Sequence, residues 1–383
     1  MSKAGQIMGL AAGSLCAFCG ADPTPAVDEH IKVYYEQGRF GGWPANFGVW
    51  QWENEILVGY ARGYYRDLGD RHHIDRERPE EHWFARSLDG GLTWTHENPA
   101  EKGQIIPEGK ALHGTETPDL AIPPYKQCPG GINFTHPDFA LVLRMNNIDA
   151  GQSRFYYSYD RGHNWEGPFA LPNFDTPGIM ARTDYLVEDQ DSCLLFLTAG
   201  KQDGKEGRPL AVRTDDGGAS WQFVSWIGPE PGGYAIMPAS ARVGESQFVV
   251  AIRHMEGDRH FADAYRSEDN GKTWKELPRP VEDLGFGNPQ ALLHLQDGRL
   301  CLIYGVRAEP WRICAKLSGD KGDTWTSEIV LRDDGASRDV GYPRAVQRPD
   351  GKVVAFYYFN DKATGPERYI GATIFDPSKI AAP

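Results

Sequence analysis

Short apolar runs separated by polar, glycine-rich connections recur along the whole chain, and none is long enough to span a bilayer. The order is easiest to follow in the C-terminal half. Tyr234-Ala-Ile-Met-Pro-Ala-Ser-Ala-Arg242 precedes Gln247-Phe-Val-Val-Ala-Ile-Arg253, and Pro289-Gln-Ala-Leu-Leu-His294 precedes Leu300-Cys-Leu-Ile-Tyr-Gly305. Gly341-Tyr-Pro-Arg-Ala-Val346 likewise precedes Lys352-Val-Val-Ala-Phe-Tyr-Tyr358. Runs of this length, bounded by turn residues, predict strands rather than helices. A third run follows the pair in each unit, and five of these third runs are His82-Trp-Phe-Ala-Arg86, Arg154-Phe-Tyr-Tyr157, Pro209-Leu-Ala-Val-Arg213, Ala262-Asp-Ala-Tyr-Arg266 and Arg312-Ile-Cys-Ala-Lys316.

Each of those five leads into the same eight-residue pattern, Ser/Thr-x-Asp-x-Gly-x-Thr/Ser/Asn-Trp. The copies carry Asp89, Asp160, Asp216, Asp269 and Asp320, which are 71, 56, 53 and 51 residues apart. Asp and Ser/Thr satisfy local backbone N–H groups, Gly takes a positive φ, and Trp anchors the next strand in the core. The same turn repeated around a fold is a hairpin lock, not five active sites. Four strands per unit of roughly 50 residues predict a β-propeller. Five boxed units and one without a box make six blades, and the chain is expected to be all-β, a six-bladed propeller of four-stranded antiparallel blades. The last unit shows three strands, so His30-Ile-Lys-Val-Tyr-Tyr35 is expected to supply the fourth and close the ring. The propeller is expected to occupy 28–380 as a single domain.

Composition agrees and adds exclusions. The 44 glycines and 27 prolines argue against a helix bundle, and the 45 aromatic residues argue against disorder. A net charge of −13 makes the nucleic-acid backbone a poor partner. Nothing in the sequence implies a cofactor, a phosphate loop or a zinc cluster, and the oligomeric state is left open. Cys16 and Cys19 form a CxxC with no second pair, whereas Cys193 and Cys301 lie inside apolar runs as expected buried thiols. Residues 1–21 read as a secretory leader cut after Ala21 or as an N-terminal extension. The first reading predicts a secreted or periplasmic protein and the second a cytoplasmic one.

Through its five boxes the chain resembles the sialidase (neuraminidase) superfamily of six-bladed propellers with Asp-box, or BNR, repeats. In a propeller the boxes lie on one face, so second-strand ends and first-strand entries share the other. Arg62, Arg144, Arg253 and Arg307 recur at second-strand ends, and Arg182 and Arg344 lie on first strands. Any one of them is equally well an ion-pairing residue. Together they suggest a cationic bowl for a carboxylate or sulfate. The connection from Gly63 to Glu81 is either solvated or a lid carrying an acid or base, with Asp67, His72 and His73 as its ionisable candidates. His113 and His254 would reach the same rim, and Trp43 is a sugar-stacking platform or core.

The resemblance implies a carbohydrate-active enzyme without cofactor, acting on the glycosidic bond of a glycan or glycoconjugate. It puts Tyr342 as nucleophile, Asp67 as acid, Glu230 as the carboxylate nearest to activating the tyrosine, and arginines on the substrate carboxylate. Arg39-Phe-Gly-Gly-Trp-Pro stands where the family has Arg-Ile-Pro, and the entry of the fourth blade lacks the activating glutamate. An acidic or deoxy sugar cleaved by hydrolysis or β-elimination therefore remains beside a true exo-α-sialidase. For elimination the candidate bases are His72, His113 and His254, with Tyr342 as acid. A non-catalytic carbohydrate-binding propeller is the third alternative.

Overall fold

The computed structural model describes residues 26–69, 71–102, 104–105 and 123–381, with the backbone of 111–112 and 115–116. The expected leader, Cys16, Cys19 and His113 lie outside the described residues. The fold is nearly all-β, with six antiparallel sheets arranged as the blades of a propeller. From the axis outward, the fourth blade runs Tyr234–Arg242, Phe248–Glu256, Arg259–Ser267 and Lys275–Glu276. The fifth runs Gln290–His294, Leu300–Val306, Arg312–Ser318 and Ile329–Arg332. The second has three described strands, Ala140–Met145, Ser153–Ser158 and Glu166–Ala170.

Ring closure follows the expectation. Gly341–Gln347, Val353–Phe359 and Tyr369–Phe375 pair in order, and the N-terminal strand Val27–Tyr34 pairs antiparallel with Tyr369–Phe375 as the outer edge of the last blade. Both ends of the described chain therefore lie in one sheet, and the otherwise open edge of Tyr369–Phe375 is paired within the protein.

All five boxes form the same turn. Ser87 Oγ accepts from the Gly91 N–H at 2.8 Å, and the two Asp89 oxygens accept from the Leu92 and Thr93 amides and the Ser87 and Thr93 hydroxyls. Gly162, Gly218, Gly271 and Gly322 donate in the same way to Ser158, Thr214, Ser267 and Ser318. The tryptophans do more than anchor their own blades. Trp94 meets Phe356 edge-on at 5.5 Å, Trp165 stacks on Phe84, Trp221 meets Phe155, and Trp274 meets Phe196. In every case the partner belongs to the preceding blade. Four of the five boxes thus staple neighbouring sheets through an aromatic pair.

The inner strands carry a second recurrent feature. Trp43, Met237 and Tyr342 have φ of 56°, 55° and 52°, each immediately before a proline, at a break or register shift in the inner strand of the first, fourth or sixth blade. In the first blade the break becomes a one-turn helix, Pro44–Phe47. Non-glycine residues avoid this region, so the surrounding contacts must hold it. Cys193 and Cys301 are buried and free, as expected, and so are Cys128 and Cys314.

Candidate functional site

A cavity of about 200 Å³ opens among Arg71, His72, Arg76, Phe286, Arg307, Arg338 and Asp339. Its residues come from blade connections on the face away from the boxes. The first-blade connection folds back on itself through a Tyr65–Ile74 bridge, and Ile74 is buried beneath it. That anchor carries His72 across to the last blade, where its Nδ1 lies 2.6 Å from an Asp339 carboxylate oxygen. The Trp43 ring meets His72 edge-on at 5.3 Å.

Asp339 is almost fully buried, and its carboxylate also receives the Tyr358 hydroxyl and the Arg368 guanidinium, 3.3 Å away. Burial pushes its carboxyl up, but His72, Arg368 and Arg307 outweigh burial and hold it well below the usual carboxylate range. For His72, burial is the larger influence and lowers the imidazole, with Asp339 opposing. The pair is therefore an ionised aspartate accepting from the Nδ1–H of a neutral histidine.

Arg253 and Arg307, from the ends of neighbouring second strands, converge on Tyr342. Arg253 donates to the Tyr342 hydroxyl at 3.3 Å and to the Tyr234 hydroxyl at 2.9 Å. The Arg307 guanidinium lies 5.3 Å over the Tyr342 ring and donates to Tyr358 and to the Val340 carbonyl. The His72 and Tyr342 rings are 6.4 Å apart. Asn288 holds the strained backbone of Tyr342 from both sides, donating to the Val340 carbonyl and accepting from the Tyr342 N–H at 2.7 Å. Gly287, at φ 78°, lets Arg253 and His260 close in, since a Cβ there would lie 2.6 Å from the His260 ring.

The remaining candidates lie elsewhere. Arg62 is bound by Glu36 and Glu81 and lies over Trp83, and Arg144 is buried over Phe47. Arg182 pairs with Glu206, while Arg344 turns toward the propeller axis and bonds Asp184 and the carbonyls of Ala45 and Thr183. His254 faces away from Arg253 and pairs with Asp263, as alternation along a strand requires. Glu230 is half-exposed and bonds Arg208, and no carboxylate among the described residues hydrogen-bonds to the Tyr342 hydroxyl. Asp67 is largely exposed beside His73 and does not line the cavity. Trp43 is wholly buried, so it shapes the site from beneath His72 and presents no face for a sugar.

Asp339, Asn288, Tyr234, Phe286 and Arg338 were not foreseen. Only Asn288 had a signal, as an X-Pro dipeptide at a first-strand entry like Trp43-Pro44, Met237-Pro238 and Tyr342-Pro343.

Solved structures with the same architecture include a protein of unknown function from Dyadobacter fermentans, 23% identical, covering 92% of this chain and 99% of that one with a TM-score of 0.68. The NanB sialidase of Streptococcus pneumoniae is 13% identical, with 89% and 70% covered and a TM-score of 0.56. An α-L-arabinanase of Penicillium chrysogenum is 12% identical, with 93% and 100% covered and a TM-score of 0.56. At these identities the likeness is one of fold. No curated protein matches the chain. The sequence profile described as BNR repeat-like domain matches residues 128–355, more than half of the length, and with five such turns in place the chain belongs to that family of sialidase-like propellers.

Proposed function

We propose that the protein is a carbohydrate-active enzyme acting on the glycosidic bond of an acidic sugar, bound on the face opposite the boxes. The observation that carries this reading is the convergence of Arg253 and Arg307 on Tyr342 beside the His72–Asp339 pair. Two guanidinium groups at the end of neighbouring blades suit a sugar carboxylate, which accepts paired N–H donors. Neutral His72 and the Tyr342 phenol supply the proton-transferring groups that glycosidic cleavage needs. The fold supports the class, since the similar structures include a sialidase and an arabinanase. The arginines favour an acidic sugar over a neutral one.

The test is a panel of sialylated, uronic-acid-containing and neutral glycans assayed for cleavage. Cleavage is expected for an anionic substrate only, and Arg253→Ala is expected to abolish it with Tm nearly unchanged. Cleavage confined to neutral glycans would sink the reading. So would a fully active Arg253→Ala.

A further inference from the structure

The charged groups around the cavity form two tiers, set apart by burial. Arg307 and Asp339 make the floor, at 8% and 5% exposure. At the mouth stand Arg71 and Arg76, both exposed, and Arg338, half-buried with its guanidinium 4.3 Å over the Phe286 ring. Among the described residues, four of the seven lining the cavity are therefore arginines, in a chain whose net charge is −13. Guanidinium groups gathered round one opening repel one another, and an anionic ligand removes that cost.

Arg71 and Arg76 flank an anchored stretch of the first-blade connection. Between them His72 reaches across to Asp339, and Ile74 is buried and bridges Tyr65. Carboxylates of the same connection are engaged with other groups, Asp75 and Glu77 with Arg66 and Asp67 with His73. Size adds a second constraint. About 200 Å³ is small beside the roughly 300–1,000 Å³ of pockets that enclose a whole small ligand. A glycan whose acidic sugar reaches the floor must therefore extend outward past the mouth arginines.

We propose that the ligand carries a second anionic group, a carboxylate or sulfate on the neighbouring sugar, bound at the mouth by Arg71 and Arg76. This rests on the reading that Arg253 and Arg307 hold the carboxylate of the first sugar. A guanidinium presents paired N–H donors, which match either oxyanion. The tiers differ in task. Donors at the floor are buried and fix one sugar in place. Those at the mouth are exposed, so water and salt screen them and each adds modestly to affinity. Their larger effect is selection by charge, because only a multiply charged glycan engages both tiers at once.

The experiment measures binding to the full chain by calorimetry, at low and high salt. It uses three pairs of ligands whose members differ by one anionic group: sialyllactose and disialyllactose, glucuronyl-xylose and glucuronyl-glucuronate, and glucuronyl-N-acetylgalactosamine without and with a 6-sulfate. The first two pairs report a carboxylate at the mouth and the third a sulfate. In at least one pair the doubly charged member is expected to bind about five- to twenty-fold tighter at low salt, with most of that preference lost at high salt. Arg71→Ser combined with Arg76→Ser is expected to bring the two members within about two-fold of each other, at the wild-type Tm. Equal affinity within every pair would overturn the mouth subsite. So would a preference that survives both substitutions, whether the two affinities fall together or not at all. Arg253→Ala tests the reading beneath, and is expected to weaken both members alike. If it leaves the singly charged member bound as before, or if none of the six ligands binds, the acidic-sugar site itself falls.

Discussion

His72 illustrates how one residue's role is set by what surrounds it. Asp339 faces its Nδ1, Arg307 and Arg253 approach from the fifth and fourth blades, and Tyr358, Tyr342 and Trp43 pack around the ring. Burial lowers the imidazole, the arginines lower it further, and Asp339 opposes them. A base of this kind works when unprotonated, so kcat is expected to hold as pH falls below about 6.5, the ordinary histidine value, before declining. Asp339→Asn removes the opposing influence. Its acid limb should move to still lower pH, while kcat drops because the tautomer is no longer fixed. A pH–rate profile of both proteins checks this, and an unmoved limb would mean that His72 does not transfer the proton. Phe286 is the complementary case, 56% exposed at the cavity mouth beneath the Arg338 guanidinium. Phe286→Ala should raise KM about three- to ten-fold by removing the ring that seats the Arg338 guanidinium at the cavity mouth, with kcat and Tm unchanged. Strand-end periodicity made Arg253 and Arg307 legible in the sequence, and it named Arg62 and Arg144 equally. Period fixes where a side chain starts, whereas Glu36, Glu81 and Phe47 decide where the latter two go. Asp339 and Phe286 were illegible because they sit on connections between blades, which follow no period.

At the scale of the element, the box was readable almost completely, because all its bonds are local. Its aspartate accepts from groups no more than four residues away, so sequence spacing is also geometry. The inter-blade role of its tryptophan was not readable, since Phe84, Phe155, Phe196 and Phe356 belong to the preceding sheet. In every box the carboxyl is lowered. For Asp89, burial acts upward, but the hydroxyl and amide donors win and hold it at about 2. A carboxylate lowered on folding stabilises fully above its unfolded value of about 3.9, and that contribution is lost as pH falls through the folded value. The five boxes should therefore sharpen acid unfolding between about pH 4 and pH 2. Asp269→Ala removes the acceptor for the Ser267 and Thr273 hydroxyls and the Thr273 amide. It is expected to cost about 1 kcal/mol at neutral pH and less near pH 2, read as a shift in urea midpoint with an unchanged slope. A loss of equal size at both pH values would mean that packing, not the carboxylate, carries the turn.

At the scale of the whole molecule, a ring of six sheets needs its blades held at the axis as well as at the rim. Arg344 enters the axis from the inner strand of the last blade and reaches the Ala45 carbonyl in the first and the Thr183 carbonyl and Asp184 carboxylate in the third. Asp184 in turn accepts the Ser240 hydroxyl from the fourth. One buried ion pair thus ties four blades. Burial pushes the Asp184 carboxyl up to about 6, with Arg344 and Ser240 opposing. In the sequence Arg344 looked like a ligand-binding residue, because linear position on a first strand does not say which way its side chain turns. The two roles predict opposite outcomes. If Arg344 is the axle, Arg344→Met leaves an uncompensated buried carboxylate and should cost about 3–5 kcal/mol at pH 7.5, measured by chemical denaturation. The carboxyl would escape that cost by taking up a proton, so the loss should shrink at about pH 5, below its folded value. Adding Asp184→Asn to Arg344→Met should recover much of the stability, because neither charge is then left alone. If Arg344 instead holds substrate, Arg344→Met would leave the denaturation midpoint in place and abolish binding. The pair of variants therefore decides whether the axis of this propeller is structural support for the arginine site above it or part of that site.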